Sequence, residues 1–236
     1  MTSLQRDDWL SRVLARECFQ LNLVADAPEA NRLDLLPPGS FAYAKVPVSA
    51  VAACNALEST GFRMVDTGLT FEGMPRLGAP PAWPGTREAR PADSPAVAEI
   101  AAQAFRFSRF HLDPRLDRAD ANRTRREWAT NYFTGRRGDA MIVSVDESDR
   151  PTGFLQLLRA ANDVLVVDLI AVAEQGRRQG AARAMLSRAL AVCGPVSALR
   201  VGTQAANIPS VRLYESLGLK LVEASYALHW HSPRPT

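Results

Sequence analysis

The sequence predicts an α/β fold built on a mixed sheet, and three observations support this prediction. Short apolar runs typical of strands alternate with amphipathic helical segments along much of the 236 residues. The apolar run at 164–172 leads through a polar turn into a helix that starts near Gly180. A second strand begins near Leu199, and the helix after it ends at Gly218. An apolar content of 47% is enough for a normal core.

The composition argues against several functional classes. A net charge of +3 is too small to predict a nucleic-acid partner. We see neither a signal peptide nor an apolar run long enough to cross a bilayer, so we expect a cytoplasmic protein without membrane contact. The cysteines Cys18, Cys54 and Cys193 are far apart and lack the spacing of a metal site, so no metal is expected.

The chain divides into three predicted parts. Residues 1–75 are expected to form a small α/β domain, residues 76–94 a linker and residues 95–236 the main domain. Six prolines between Met74 and Pro95 favour irregular structure there. The segment 54–66 is similar to 211–223, with Gly61 matching Gly218 at an offset of 157 (218 − 61). This similarity suggests a structural repeat, although helix–glycine–strand is also a common local pattern.

The turn before the Gly180 helix has the features of an anion site. Small residues at a helix start leave backbone N–H groups bare, and the helix dipole favours a phosphate there. Arg177 and Arg178 add positive charge beside them. The loop lacks the Gly-Lys-Ser/Thr ending of a P-loop and also the G-x-G-x-x-G fingerprint. The alternative is an ordinary strand–helix junction with two surface arginines.

Two signatures identify the chain as similar to a known family. Arg177-x-x-Gly180-x-Ala182 resembles the R/Q-x-x-G-x-G/A loop of the GNAT superfamily of N-acetyltransferases. Asn207, Tyr214 and Gly218 match the second signature of that family, N-x-x-x-x-x-x-Y-x-x-x-G-[FL]. The resemblance implies a GNAT acyltransferase fold, preceded here by a smaller, degenerate half-GNAT-like N-terminal domain, and acetyl-CoA as the co-substrate. It also implies a set of coenzyme-binding residues: Ile170, Ala171 and Val172 for the pantetheine arm, Arg177, Arg178, Gln179, Gly180, Ala181 and Ala182 for the pyrophosphate, and Asn207 near the thioester.

The resemblance implies direct attack of a primary amine on acetyl-CoA in a ternary complex. Tyr214 matches the general acid of the family, because a phenol is protonated at neutral pH and can donate to the departing thiolate. A packing tyrosine is the alternative. For the general base we consider Asp168, an acid within an apolar strand, which could instead be a structural hydrogen-bonding group. His111 is the second candidate for the base.

The acceptor is expected to lie against the loop at 105–117, between the first two helices of the main domain. Arg109 and His111 are its predicted binding residues, because a local excess of arginines suits an anionic molecule. Ser108 to Phe110 and the helix of Trp128 resemble the acetyltransferases of nucleotide-linked amino sugars. A peptide N-acetyltransferase and a catalytically silent CoA-binding module are the alternatives. The sequence leaves a homodimer open.

Overall fold

A computed structural model describes residues 3–22, 33, 36–78 and 85–232. The helices are α1 (Asp8–Leu14), α2 (Val51–Ser59), α3 (Ser94–Ala104), α4 (Arg109–Leu112), α5 (Arg118–Thr130), α6 (Ala181–Cys193) and α7 (Ile208–Ser216). The strands are β1 (Ser3–Arg6), β2 (Cys18–Asn22), β3 (Phe41–Pro47), β4 (Arg63–Gly73), β5 (Gly85–Glu88), β6 (Ala140–Val145), β7 (Pro151–Arg159), β8 (Val164–Val172), β9 (Ala198–Gln204) and β10 (Lys220–His231). None of the helices in these ranges is long and apolar enough to cross a membrane.

All ten strands belong to one mixed sheet, as the predicted fold class requires. Their order is β1-β2-β3-β10-β4-β9-β8-β7-β6-β5. The pairs β2–β3 and β8–β9 are parallel, and the other neighbours are antiparallel. Strand β4, from the first part of the chain, lies between β10 and β9 from the last part. The two ends of the chain therefore share a continuous hydrogen-bonded sheet.

The suspected repeat exists as a structural unit. β3, α2 and β4 begin at residues 41, 51 and 63, while β9, α7 and β10 begin at 198, 208 and 220, which is the same offset of 157 each time. In the order β3-β10-β4-β9 the two units interleave around the antiparallel β10–β4 pair. The pseudo-symmetry extends outward, because β2 runs parallel to β3 as β8 does to β9. The N-terminal unit thus extends the sheet of the main unit.

One sequence expectation was wrong. The proline-rich stretch was expected to be irregular, but residues 85–88 form β5, an edge strand paired with β6. The prolines lie at 75, 80, 81, 84, 91 and 95, so the short run between 84 and 91 has every backbone N–H needed for a ladder. Residues 79–84 of that stretch lie outside the described residues. The division into domains at 75 and 95 stays a prediction.

Helices cover the two faces of the sheet with different partners. On one face, which we call the α6–α7 face, Met185 of α6 and Tyr214 of α7 share a buried cluster with Phe71 of β4. Helix α2 packs on the same face through Leu57. On the opposite face, the α4–α5 face, Phe110 of α4 and residues of α1, α3 and α5 pack against the strands. Ligands that approach from these two sides would meet different side chains.

Candidate active site

Strands β8 and β9 separate partway along their length. Residues 164–167 pair with residues 198–201, whereas β8 continues to Val172 and β9 to Gln204. At the point of separation Asp168 forms a β-bulge, because Gln156 pairs with Leu169 and Leu157 with Val167. A bulge bends its strand and re-aims the side chains beside it. The result is a wedge between the two strands that is open toward the ends of both.

The wedge exposes a strand edge that suits an extended ligand. Ile170, Ala171 and Val172 pair with β7 on one side, and their described pairing with β9 has already ended. Backbone groups on such an edge accept an added strand, as the pantetheine arm of coenzyme A would be. Gly153 lies opposite Val172, and a Cβ at Gly153 would come within 2.9 Å of the Ala171 carbonyl oxygen. The close approach of β7 at this place therefore requires glycine.

The loop after β8 presents bare amide groups at the start of α6. Gly180 adopts φ 84° as the N-cap residue, a left-handed conformation that favours glycine. Among the described backbone groups, none accepts a hydrogen bond from the N–H of Ala181, Ala182 or Arg183. Arg178 is exposed beside them and also has a positive φ of 62°. This geometry fits a pyrophosphate at the N-terminus of a 13-residue helix.

Arg177 has a different position from the one expected. Its Nε donates to the carbonyl oxygen of Val172 at 3.1 Å, and its Nη2 donates to that of Ala104 at 3.3 Å. The guanidinium thereby ties the loop to the end of β8 and to the end of α3. Its side chain is engaged with the protein, so only its backbone and its long-range charge remain for an anion. Gln179 is exposed and donates to the carbonyl oxygen of Gln175 at 3.1 Å.

Asn207 and Tyr214 lie on the helix that follows β9. Asn207 is the N-cap residue of α7, and its Nδ2 donates to Thr203 Oγ1 at 3.2 Å. The ring of Tyr214 is only 3% exposed and lies 5.8 Å from that of Phe71. Burial raises the pKa of Tyr214 to about 12, against a smaller opposing effect of a hydrogen bond with Ser210. The phenol is therefore protonated at neutral pH and is able to donate to a thiolate.

Asp168 is held by four hydrogen bonds. Oδ2 accepts from Trp128 Nε1 at 2.9 Å, Arg137 Nε at 2.7 Å and Gln156 Nε2 at 2.9 Å. Oδ1 accepts from Arg137 Nη2 at 2.6 Å, which makes the arginine contact bidentate. The side chain is 6% exposed. A carboxylate with this many donors is well suited to fix Trp128 and Arg137.

A pocket of about 450 Å³ opens on the α4–α5 face next to this carboxylate. It is lined by Asp7, Trp9, Leu10, Arg12, Tyr43, Arg109, Trp128, Asn131, Arg136 and Arg137. Arg12 and Arg136 form no ion pair with any residue in the described ranges. The rings of Trp9 and Trp128 meet edge to face, with centroids 5.5 Å apart. The pocket thus combines positive charge with aromatic surface.

Arg109 is a partly buried cation of this pocket. Its guanidinium lies 3.9 Å from the ring centroid of Tyr43 and 4.5 Å from that of Phe110. Desolvation lowers its pKa, with partial compensation from Tyr43. Its Nη1 is 3.4 Å from His229 Nε2. A partly buried guanidinium held by rings and a neutral imidazole, without a contacting carboxylate among the described residues, is suited to an anion supplied by a ligand.

His111 points away from the pocket. Its Nδ1 is 2.6 Å from Ser108 Oγ, and its Nε2 is 2.9 Å from Asn122 Oδ1. Both ring nitrogens therefore have partners on α4 and α5, and burial lowers the pKa of this imidazole. The structure does not bring His111 together with Arg109 at the pocket, although the two residues share one short helix.

A buried carboxylate joins α4 to β10. Asp113 Oδ2 accepts from His229 Nδ1 at 2.7 Å and from His231 Nε2 at 2.8 Å. The three residues form the one group in the described ranges whose atoms are close enough together to hold a metal ion. Their hydrogen bonds to one another, and the guanidinium of Arg109 beside His229, identify the group as a polar joint that orients Arg109.

Sequence reasoning missed most of the pocket lining. Trp9, Arg12 and Tyr43 come from the N-terminal part of the chain, and Arg137 follows α5 in a loop. No sequence motif marks these residues. They are far from Asp168 along the chain, so the sequence does not predict that they line a pocket beside it. The one available signal was the acid within an apolar strand, since a buried carboxylate needs a cation or donors as partners.

The comparisons with known proteins agree with this geometry. Residues 95–219 match the model of the acetyltransferase (GNAT) family. The chain is 25% identical over 244 residues to the spore coat polysaccharide biosynthesis protein SpsD of Bacillus subtilis (strain 168). The alignment covers 94% of this chain and 80% of that protein.

Two solved structures show the fold. A GCN5-related N-acetyltransferase from Sphaerobacter thermophilus aligns with a TM-score of 0.64 at 15% identity, covering 99% of this chain and 77% of that one. A tandem GNAT protein from the clavulanic acid biosynthesis pathway aligns with a TM-score of 0.57 at 13% identity, covering 93% of this chain and 76% of that one.

The family match covers more than half of the chain and includes the wedge, the glycine loop and both signature helices. Enzymes of this family use acetyl-CoA as the acetyl donor, and the bare strand edge and bare helix N-terminus fit such a molecule. The chain belongs to the GNAT family and is an N-acetyltransferase.

Proposed function

We propose that this enzyme transfers the acetyl group of acetyl-CoA to the amino group of a nucleotide-linked amino sugar. The observation that carries the proposal is the pocket on the α4–α5 face, which joins three arginines that lack a carboxylate partner in the described ranges to an aromatic pair beside the wedge. The similarity to SpsD, a protein named for polysaccharide biosynthesis, supports a sugar acceptor. The finer candidate is dTDP-4-amino-4,6-dideoxygalactose (dTDP-fucosamine).

The coenzyme would lie along the wedge. The backbone of residues 170–172 would pair with the pantetheine arm, and the amides of residues 178–182 would hold the pyrophosphate. Asn207 would bond the arm near the thioester. In this arrangement Arg177 acts mainly by holding the loop closed onto β8 and α3.

The acceptor would occupy the pocket with its nucleotide part. Arg12 and Arg136 are free to pair with phosphate oxygens, and Arg109 supplies a deeper positive charge. Trp9 and Trp128 offer aromatic surface to a base or a sugar face. The sugar amine would then point toward the wedge, so that both substrates meet in one ternary complex. Such alignment alone supplies much of the rate enhancement.

The chain contributes acid chemistry through Tyr214. Its protonated phenol would donate to the departing sulfur of coenzyme A. We propose that Asp168 is a positioning residue, since four donors from three side chains hold its carboxylate. It would hold the pocket wall by fixing the indole of Trp128 and the guanidinium of Arg137.

A panel of amines tests the proposal directly. Turnover of acetyl-CoA is measured with dTDP-amino sugars, UDP-amino sugars, free amino sugars and peptides with a free N-terminus. We expect nucleotide-linked amino sugars to react with the highest kcat/KM. A preference for peptides would replace the proposed acceptor with a peptide, and absence of turnover with every amine would favour a silent CoA-binding module.

Variants of the pocket arginines locate the acceptor. Arg12→Ala and Arg109→Ala should each raise the KM of the acceptor about tenfold, which corresponds to one lost charge-assisted contact. The KM of acetyl-CoA should stay nearly constant. Arg126→Ala is the matched control, because Arg126 lies on α5 outside the pocket and pairs with Glu99 at 3.0 Å. Equal rises in both KM values would place these arginines outside the acceptor site.

A further inference from the structure

Asp66 lies on the α4–α5 face of the sheet, one strand away from the wedge. It pairs in register with Ala227 of β10, which in turn pairs with Lys45 of β3. Residues in one register row point to the same face, which here is the face of Tyr43, His229 and their partner Phe110. Asp66 is therefore on the side from which the acceptor would approach.

The carboxylate of Asp66 has no ion-pair partner within the described residues. Other partly or fully buried acids near the sheet have side-chain partners: Asp93 pairs with Arg87, Asp113 with two histidines, Asp168 with Arg137 and Glu72 with Arg200. Asp7 has no ion pair in the described ranges, but its two carboxylate oxygens accept hydrogen bonds from Leu10 N and from the Tyr43 hydroxyl. Asp66 accepts a hydrogen bond from the backbone of Thr67 and is only partly exposed. Cations face it from three elements, namely Arg109 of α4, Arg125 of α5 and Lys45 of β3, but none forms a contact with it.

Strand β4 brings this carboxylate next to the open end of β9. Gly68 pairs with Gln204, and the N–H of Ala205 donates to the carbonyl oxygen of Thr67 at 2.8 Å. Asn207 follows directly and is the residue proposed to hold the thioester end of the arm. Neighbouring strands are about 5 Å apart. There is also room on this stretch of β9, because a Cβ at Gly202 would meet nothing within 4 Å.

Asp66 and Tyr214 lie on opposite faces of the sheet. Tyr214 belongs to the cluster of the α6–α7 face, together with Phe71 and Leu69 of β4. Along β4, Asp66 alternates with those residues and points to the other face. A thioester held in the wedge would thus have a phenol on one side and a carboxylate on the other. Acyl transfer needs this separation, because the amine and the sulfur occupy different sides of the carbonyl carbon.

We propose that Asp66 is the general base of the reaction and removes a proton from the ammonium group of the acceptor. This assignment rests on the function proposed above. It gives a catalytic role to the N-terminal unit, since Asp66 comes from β4 of that unit and not from the part of the chain that matches the family model.

Asp66, Tyr214 and solvent together account for the proton transfers of the reaction. The Asp66 carboxylate takes one proton from the acceptor ammonium, directly or through one water, and the free amine attacks the acetyl carbon. The carbon–sulfur bond breaks, and the sulfur receives the proton of Tyr214. The second proton on nitrogen leaves to solvent as the amide forms, and the tyrosinate takes up a proton from solvent. Asp66 then releases its proton to solvent, so the net products are the acetamide, coenzyme A and one proton.

The electrostatic setting is compatible with this role. Burial raises the pKa of Asp66 to about 6, while the Thr67 hydrogen bond and the charges of Arg109, Lys45 and Arg125 act in the opposite direction. The carboxylate is thus ionised at neutral pH, yet it is a stronger base than an ordinary aspartate. Its negative charge would also attract the ammonium group within a surrounding of arginines.

The test compares Asp66→Asn with Asp168→Asn, using the acceptor that the wild-type enzyme acetylates best. Asp66→Asn should lower kcat by on the order of 10²-fold and remove the acidic limb of the kcat/KM profile near pH 6. The KM of acetyl-CoA should not change. Asp168→Asn should keep that limb, and Asp66→Glu should recover part of the rate because it retains a carboxylate.

Three outcomes would contradict the proposal. If Asp66→Asn keeps kcat within threefold of wild type, or loses rate while retaining the acidic limb, Asp66 is not the base, although acetyl transfer itself stands. If Asp168→Asn instead removes the limb, Asp168 is the base. If the wild-type enzyme acetylates none of the amines, the proposed acceptor and the base assignment are both overturned. This result is obtained before any variant is compared.

Discussion

The two βαβ units of this protein have the same scaffold but different side chains. β3–α2–β4 and β9–α7–β10 begin at matching positions with a constant offset of 157, and both helices end at a glycine with positive φ, 97° at Gly61 and 77° at Gly218. Where the second unit has Asn207 and Tyr214, the first has Ala50 and Leu57. The backbone pattern is thus shared, and the groups suited to acetyl-CoA occur once.

The difference shows that scaffold and chemistry are separable. Leu57 is 1% exposed within an apolar cluster, and Tyr214 is 3% exposed at the corresponding place in another cluster. Both side chains fill a core, but only the phenol of Tyr214 carries a proton that it can donate to a thiolate. The first unit has kept its packing role and, through Asp66, is proposed to supply a group to the site of the second.

The largest effect is expected from the phenol of the second unit. Tyr214→Phe keeps the ring against Phe71 and removes only the hydroxyl, so kcat should fall by on the order of 10²–10⁴-fold with little change in coenzyme affinity. Tyr226→Phe, in the cluster of the first unit, is the matched control and should retain activity. A kcat for Tyr214→Phe within threefold of wild type, with chemistry rate-limiting, would remove this residue from the mechanism.

The corresponding position of the first unit should affect stability alone. Leu57→Ala leaves a cavity under α2 and should lower the free energy of unfolding by about 2–5 kcal/mol. Urea unfolding measures this loss. The kcat of the folded fraction should equal that of wild type, because Leu57 does not touch the wedge. A large loss of kcat in fully folded Leu57→Ala would mean that the two units are functionally coupled.

The next prediction concerns the glycine loop at the start of α6. Gly180→Glu places a carboxylate where the pyrophosphate is proposed to bind, so affinity for coenzyme A should fall by on the order of 10²-fold or more in calorimetry. Gly194→Glu is a control at the other end of α6, with a similar φ of 75° and open space around it. Equal affinities for the two variants would contradict the loop assignment.

The polar joint between α4 and β10 should respond to acid. Burial lowers the pKa of His229 from 6.5 to about 4, against the opposing hydrogen bond with Asp113, and its Nε2 must stay unprotonated to face Arg109. The unfolded chain therefore binds more protons than the folded one in this range, so stability falls as pH decreases from about 6.5 to 4.

The free energy of unfolding is expected to fall by about 2–3 kcal/mol over this pH range, which follows from the free-energy value of a pKa unit. Denaturant unfolding at several pH values measures it. His229→Gln should flatten most of the dependence of stability on pH, and the half-buried His111, whose pKa is also lowered, accounts for a remainder. An unchanged stability between pH 6.5 and 4.5 in the wild type would contradict a neutral buried His229.

Local signals in the sequence were enough to predict a central strand and to propose the coenzyme loop. The predicted strand at 164–172 agrees with the structure in both bounds, because its apolar run ends where the polar turn begins. The glycine loop and the Asn–Tyr–Gly spacing depend on residues close together in the chain. Such motifs are readable because the backbone geometry they need is local.

The pocket on the α4–α5 face and the different bonding of the acids were decided by the tertiary structure. Trp9, Tyr43 and Arg109 come together only because β4 inserts between β9 and β10 and brings the first unit onto the same sheet. From sequence, Asp168 was the conspicuous acid, but four donors hold it, whereas Asp66 has none from a side chain in the described residues. A sequence specifies which groups can carry charge, while strand pairing over long separations decides which of those charges find partners.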